Sequence, residues 1–544
     1  MVVGRIRLCI LLSIAACLAA ASAAAQEPAQ FDWRGAYVGA HTGGALALVD
    51  VGDPFGSSIF GDTVRTPGAL VGGQLGYNWQ RGGLVYGIEA DLSWADLDGT
   101  NTCFAYSGLF ISSNCAARIS AMGTVAGRLG WTLPWDDRTL VYGKAGLALA
   151  RTEVDALPSG GGGLPGFQDS GWRWGWTLGA GAERAIAPRW TVKAEYAFLS
   201  FDNANFTAPA SVVGELLTPT SAAGTHVSQD IHQFKVGLNY RLDGGSSSAG
   251  QAEPWLVERS GPANGTEYKA GVRYVHGRAR FQKDLGIMGV GVASPASRLT
   301  YESPSLDGAE GFARIDTSFG LMVKGLVGRT TGGGHMNDED WGLPFAVFIP
   351  YSNTISSVDD RITYWTVDVG LNHWRGPTYT VAPFVGYSQF RQDMKGLGCT
   401  QIANPASDCN PAIPTNVLAI TEDDTWHAVR LGVVVDVTLA PRLTLSGEAA
   451  YLPYVRFTGT DDHVLRELVS PESGNGVGVQ LEATLSYALT DAFSLGVGGR
   501  YWAMRTTSGN VNFGGEGEIV PMRYVAEQAQ VLVQGTYKFS DGRK

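Results

Sequence analysis

The sequence predicts an all-β protein made of two tandem transmembrane antiparallel β-barrels, the first of about eight strands and the second of about ten. Three observations predict it. First, side chains alternate with a period of two over long stretches. In "LVYGIEADLSW", Leu84, Tyr86, Ile88, Ala90, Leu92 and Trp94 share one face, and Val85, Gly87, Glu89, Asp91 and Ser93 the other. "RWTVKAEYAF" repeats the pattern, with Trp190, Val192, Ala194, Tyr196 and Phe198 opposite Thr191, Lys193 and Glu195. Near the C-terminus, Val531, Val533, Gly535, Tyr537 and Phe539 oppose Gln534, Thr536 and Lys538. Second, these runs exceed the usual strand of roughly five or six residues. They carry aromatics near their ends and are joined by short turns alternating with long polar loops. An apolar band facing lipid, with aromatic girdles and long loops at one end, requires all of this. Closure is compulsory, because an open edge in lipid leaves backbone groups unpaired. A secreted β-sandwich, the soluble alternative, needs neither the length nor the loop asymmetry. Third, 73 Gly and 17% charged residues with only 44% hydrophobic content suit strands with one apolar face and small inward residues.

Taken in order, the chain opens on a targeting segment. Arg5 and Arg7 precede the apolar "LCILLSIAACLAAA", and "ASAAAQ" closes it with small residues, so residues 1–25 read as a secretory signal cleaved before Gln26. A lipoprotein acceptor at Cys17 is the alternative. Beyond the signal no apolar run is long enough for a membrane helix. The net charge of −11 is spread along the chain, and no basic stripe exists to neutralise phosphates, which excludes nucleic acid as a partner.

Eight candidate strands lie near 35–48, 68–80, 84–96, 118–133, 140–154, 171–186, 189–202 and 227–242, within a unit spanning 31–242. "DGGSSSAGQAEP" begins a flexible linker over 243–264. Ten more lie near 265–282, 297–316, 317–330, 361–374, 377–393, 425–438, 441–458, 474–489, 492–507 and 522–539, within a unit spanning 265–539. Even counts return both termini of each barrel to one side of the membrane, so the linker stays periplasmic. A single merged barrel of eighteen strands is the alternative. Outside the signal the cysteines form two close pairs in polar segments, Cys103 with Cys115 and Cys399 with Cys409, read as local disulfides of an exported protein. Metal binding by these cysteines is the alternative, without a supporting histidine pattern.

"FDWRGAYVGAHTGGAL" (31–46) and the closing "HQFKVGLNYRL" (232–242) resemble the small OmpA-like outer-membrane barrels. In so narrow a barrel the interior is filled by side chains, so Glu89, Asp91, Lys193 and Glu195 read as a lumenal charge network rather than a catalytic pair. The second half resembles the omptins, ten-stranded outer-membrane endopeptidases. "SRLTYES" (297–303), "GGGHMNDEDW" (332–341) and "TDDHVLR" (460–466) carry that resemblance, the last two on loops after the third and seventh strands. It implies a catalytic set of Asp338, Asp340, Asp461 and His463, with no cofactor and no metal. It also implies an extracellular protein or peptide substrate, and lipopolysaccharide as partner and activator.

The residues allow that chemistry. Positions i and i+2 on an extended segment project to one side. Asp338 and Asp340 can therefore face Asp461 and His463 across the barrel mouth with a water between them. Asp461 orients His463 and raises its basicity, and His463 takes the proton of the water. Height is adequate. From Arg442 to Asp461 a strand runs on the order of 60 Å, and at a tilt of about 45° it rises roughly 45 Å against an apolar band of about 25 Å. Phase is the obstacle. Leu443, Leu445, Ala449, Tyr451, Val455 and Phe457 form the lipid-facing set, and strict alternation would turn Asp461 and His463 outward as well. A bulge near Gly459 is therefore expected. The resemblance places the acids that select basic substrates at Phe281 and Gly459, neither of them acidic, which removes the expected basis for that preference. His335 reads as a solvated loop residue, and His276, His373 and His427 as strand or girdle residues. A non-catalytic structural or adhesive surface protein, or a small porin, is the other reading.

Overall fold

The computed structural model describes residues 31–52, 61–106, 111–159, 167–208, 212–213, 218–219, 223–242, 265–342, 348–372, 374–376, 378–404 and 406–540. The expected signal (1–25), its alternative acceptor Cys17, the linker (243–264) and His373 lie outside them.

The first barrel is built of β1 (Gly35–Val51), β2 (Thr63–Arg81), β3 (Leu84–Tyr106), β4 (Ile111–Leu133), β5 (Asp136–Pro158), β6 (Phe167–Ala185), β7 (Trp190–Ala208) and β8 (Ala223–Arg241). Neighbours pair antiparallel in sequence order, and β1 closes on β8 with Tyr37 opposite Arg241. The second consists of β9 (Glu267–Leu285), β10 (Ser297–Asp316), β11 (Leu321–Gly342), β12 (Phe348–Leu371), β13 (Tyr379–Gln401), β14 (Ile413–Ala440), β15 (Leu443–His463), β16 (Leu468–Ala488), β17 (Phe493–Phe513) and β18 (Glu518–Ser540). A short strand, Trp374–Gly376, lies beside β13, and β9 closes on β18 with Glu267 opposite Ser540. These are two closed barrels, not one merged cylinder. No helix of the described residues is long and apolar enough to cross a membrane.

The strands run longer than the alternation in the sequence marks. β3 continues to Tyr106 and β4 begins at Ile111, so Cys103 and Cys115 sit on paired strands rather than in a connecting segment. Above the lipid the outward face turns polar and hydrophobic alternation fades, while backbone pairing continues. The motifs "GGGHMNDEDW" and "TDDHVLR" likewise lie on the ends of β11 and β15, not on loops, and β15 passes directly into the helical turn Val464–Arg466.

Both disulfides, Cys103–Cys115 and Cys399–Cys409, are formed. Replacing Cys103 and Cys115 by serine is expected to cost roughly 2–3 kcal/mol, read as a lower urea midpoint of the refolded protein. An unchanged midpoint would show that the strand pairing alone holds this end.

Exposed apolar side chains such as Val71, Leu75, Trp94, Trp174, Val272, Val327 and Val533 mark the lipid-facing band. Inside the first barrel, Lys193 lies 2.8 Å from Glu89, Lys144 2.7 Å from Glu195, Lys235 3.1 Å from Asp91 and Arg128 2.6 Å from Glu183. Each buried charge thus meets an opposite one, as burial demands.

The two barrels lie against each other, which the sequence did not indicate. Val192 and Val236 of the first pack with Val381, Val435, Val437 and Ala449 of the second. Ala449, expected to face lipid, is buried in this seam. Toward the long-loop end the seam is polar. Arg65 pairs with Glu527 at 2.8 Å, Arg505 with Asp96 at 2.6 Å and Arg523 with Asp98 at 2.8 Å. Arg298 donates to Asp284 and Asn114, each at 2.6 Å, and to Thr102 at 2.9 Å. Thr102 in turn donates to Glu339, the residue between Asp338 and Asp340.

Candidate active site

Position along the strands comes first. On the outer surface of the second barrel, Tyr387 hydrogen-bonds His427 at the aromatic girdle, and above it the exposed pairs Arg391–Asp423 and Arg361–Asp393 lie in water. Asp461 is opposite Glu422 and Gly459 opposite Asp424, so the site stands at or above that aqueous level.

The phase problem on β15 is solved by a bulge, but not at Gly459. The register shifts between Leu452 and Val455 against β16 and between Tyr451 and Tyr454 against β14. Pro453 and Tyr454 are consecutive exposed residues there, and proline in a sheet is characteristic of such irregularities. Below the bulge Tyr451 faces out; above it Val455 and Phe457 turn inward and are fully buried, contrary to their expected lipid-facing role. Gly459, Asp461 and His463 inherit that inward phase.

On β11, across the barrel, Met336 belongs to the lumenal core, so Asp338 and Asp340 share its inward face. Asp340 hydrogen-bonds Ser297, the residue opposite it on β10. His335 lies on the opposite face of β11, 3.6 Å from Glu302, and does not join the site.

His463 Nε2 and Asp461 Oδ2 are 3.2 Å apart. Burial works to lower the His463 pKa, but the Asp461 carboxylate outweighs it and holds the imidazole above its ordinary value. Asp461 itself is depressed: Lys283 and His463 overcome its burial. Burial and the neighbouring Asp340 push Asp338 up to about 8, against the opposing pull of His463 and Arg466. Asp340 is also raised by burial. The four side chains therefore act on one another electrostatically across the mouth. With Nε2–H donated to Asp461, Nδ1 is the basic nitrogen.

Beneath the site the lumen holds a cluster of buried, mutually tilted aromatic rings. Phe457 lies 4.2 Å from Tyr524, 4.5 Å from Trp426 and 6.3 Å from Phe281 between ring centroids, and Phe281 lies 6.0 Å from Tyr301. Phe281, the expected counterpart of a selecting acid, is part of this floor. The β9 residue that reaches the site is Lys283, 2.8 Å from Asp461 Oδ2. Gly459 is not the end of the acidic wall either. A Cβ there would meet Asp424 Oδ1 at 2.4 Å, so the carboxylate of the neighbouring strand occupies that space. Lys283, Glu422, Asp424 and Glu472 were missed in the sequence. The signal was present in "FQKDL", where Lys283 shares the phase of Phe281, and in "TEDDTW", where Glu422 and Asp424 share a face.

Two lipid-embedded barrels, one carrying a cluster of ionisable groups at its outer mouth, define an integral outer-membrane protein. Residues 13–241 match the outer membrane protein beta-barrel domain and residues 311–531 the Omptin family, and the chain belongs to the outer-membrane β-barrel proteins, with an omptin domain as its second part. Its first part is 33% identical over 222 residues to the 31 kDa outer-membrane immunogenic protein of Brucella melitensis biotype 1, covering 39% of this chain and 85% of that protein. It is 31% identical over 175 residues to the 22 kDa outer membrane protein of Rhizobium leguminosarum bv. viciae, covering 32% and 67%. The outer membrane protease OmpT from Escherichia coli superposes with a TM-score of 0.44 at 12% identity, covering 52% of this chain and 98% of that one.

Proposed function

We propose that the second barrel is a surface endopeptidase that cleaves extracellular protein or peptide substrates with a water activated by His463. What supports this is that Asp338 and Asp340 share an inward face on one wall while Asp461 and His463 on the other wall act on Asp338 electrostatically. Nδ1 of His463 accepts a proton from the water, and Asp461 stabilises the imidazolium that forms. Asp338 Oδ1 is buried and unpartnered, and the acidic pair holds a proton at neutral pH, so it both accepts from and donates to the attacking water. Lipopolysaccharide is the lipid partner and activator on this reading. The aromatic floor speaks against a small porin, because its rings occupy the lumen under the site.

The test is cleavage of a peptide library by the refolded full chain across pH 5 to 9. Turnover is expected to rise with pH as His463 loses its proton, above its ordinary value of 6.5, and to fall as Asp338 loses its own at about 8. No cleavage anywhere in that range would leave a non-catalytic surface protein as the answer.

A further inference from the structure

The pocket beneath the His463–Asp461 pair already contains a cation. Lys283 enters it from β9, and its Nζ lies 2.8 Å from Asp461 Oδ2 and 3.2 Å from Glu472 Oε1, and also bonds Glu422. Asp424 completes the group, with oxygens of Glu422, Asp424 and Glu472 within 4.8 Å of one another. Lys283, Glu422 and Asp424 are each 0% exposed. Neither Asp424 oxygen, and only one oxygen each of Glu422 and Glu472, receives a hydrogen bond from a donor group outside the acidic cluster; Glu422 hydrogen-bonds both Asp424 and Glu472 within it.

One ammonium thus stands against four carboxylates. Burial, and repulsion among the acids, hold Glu422, Asp424 and Glu472 above the usual carboxylate range. Such a group binds a cationic side chain strongly, and it touches the Asp461 that orients His463.

We propose that Glu422, Asp424 and Glu472 form a cation pocket of the substrate groove and that Lys283 is its built-in occupant, so that the wild-type protein takes peptides with small, uncharged side chains at that position and rejects Arg and Lys. This rests on the peptidase reading for its substrate, but the pocket itself is testable without catalysis.

The experiment titrates agmatine, an alkyl guanidinium, into the full chain refolded in detergent micelles, followed by calorimetry. Lys283→Ala is expected to bind agmatine at least tenfold more tightly than wild type, and adding Glu472→Gln should remove the gain. Should Lys283→Ala refold poorly, Lys283→Gln, which removes the ammonium charge and keeps a hydrogen-bond donor among the acids, is measured in its place. Equal affinity in wild type and variant, or no binding by either, overturns the proposal. In parallel, peptides carrying Ala or Arg at the varied position should show at least a tenfold shift in kcat/KM toward Arg in Lys283→Ala; cleavage by both proteins with no shift also overturns it. Agmatine binding that changes as expected, with no cleavage by either protein, supports the pocket and removes the peptidase reading instead.

Discussion

Replacing His463 by alanine is expected to lower peptide turnover by roughly 10²–10⁴-fold, with the barrel still folded. The loss follows from the site's chemistry. His463 supplies the only imidazole facing Asp461 among the described residues: His335 points to the outer wall, and His276 and His427 are tied to Asp307 and Tyr387 on the outer surface. Asp461 cannot take over as base, because the Lys283 ammonium, which remains in the variant, keeps its pKa low. The fold should tolerate the change, since His463 ends β15 and its side chain is 21% exposed, with no place in the aromatic floor. The measurement pairs peptide cleavage with circular dichroism of the refolded variant. Turnover equal to wild type would remove His463 from the mechanism, and a lost β-sheet signal would show that its role is structural.

Replacing Arg298 by leucine should have the largest effect on stability, about 3 kcal/mol, because it takes the nearest cation from the buried Asp284 carboxylate and leaves it Arg523 at 3.7 Å with the donors Thr100 and Gln282. Arg298 and Asp284 are each 1% exposed, and the guanidinium also holds Thr102 and Asn114, the neighbours of the Cys103–Cys115 bridge. Burial works to raise Asp284, but Arg298 prevails and holds it down to about 2. Its folded pKa lies below the ordinary value of 3.8, so its stabilisation is present above pH 3.8 and is lost as pH falls toward about 2. Urea unfolding in micelles should show a lower midpoint for Arg298→Leu at neutral pH and a smaller gap from wild type in acid. Identical midpoints would show that the barrels do not depend on this clamp. Turnover should fall as well, because the clamp holds Thr102 against Glu339, between the two aspartates, and Ser297 beside it bonds Asp340.

Much of this molecule is legible in local pattern. The alternation through Leu84–Trp94 and Trp190–Phe198 marks strands because side chains of a strand change face at every residue, whatever lies beside it. Glu89, Asp91, Lys193 and Glu195 fall on inward faces by the same count, and "NDED" and "TDDH" stand out as acidic motifs, although the sequence places them on loops and the structure at the ends of strands. Strand ends are less legible. Once the wall rises above the lipid its outer face need not be apolar, so β3 and β4 continue past the point where alternation fades.

The sequence alone determined that this is a membrane protein of two successive barrels with an acidic pair and an Asp–His pair, because a period of two and a run of residues are properties of the chain itself. Only the tertiary structure decided that Pro453 and Tyr454 turn the Asp–His pair inward, that Lys283 fills the pocket beneath it, and that the first barrel grips the strand bearing Asp338 and Asp340. Each of these depends on register against a neighbouring strand or on docking across a barrel wall, and the partners that set them lie tens to hundreds of residues away.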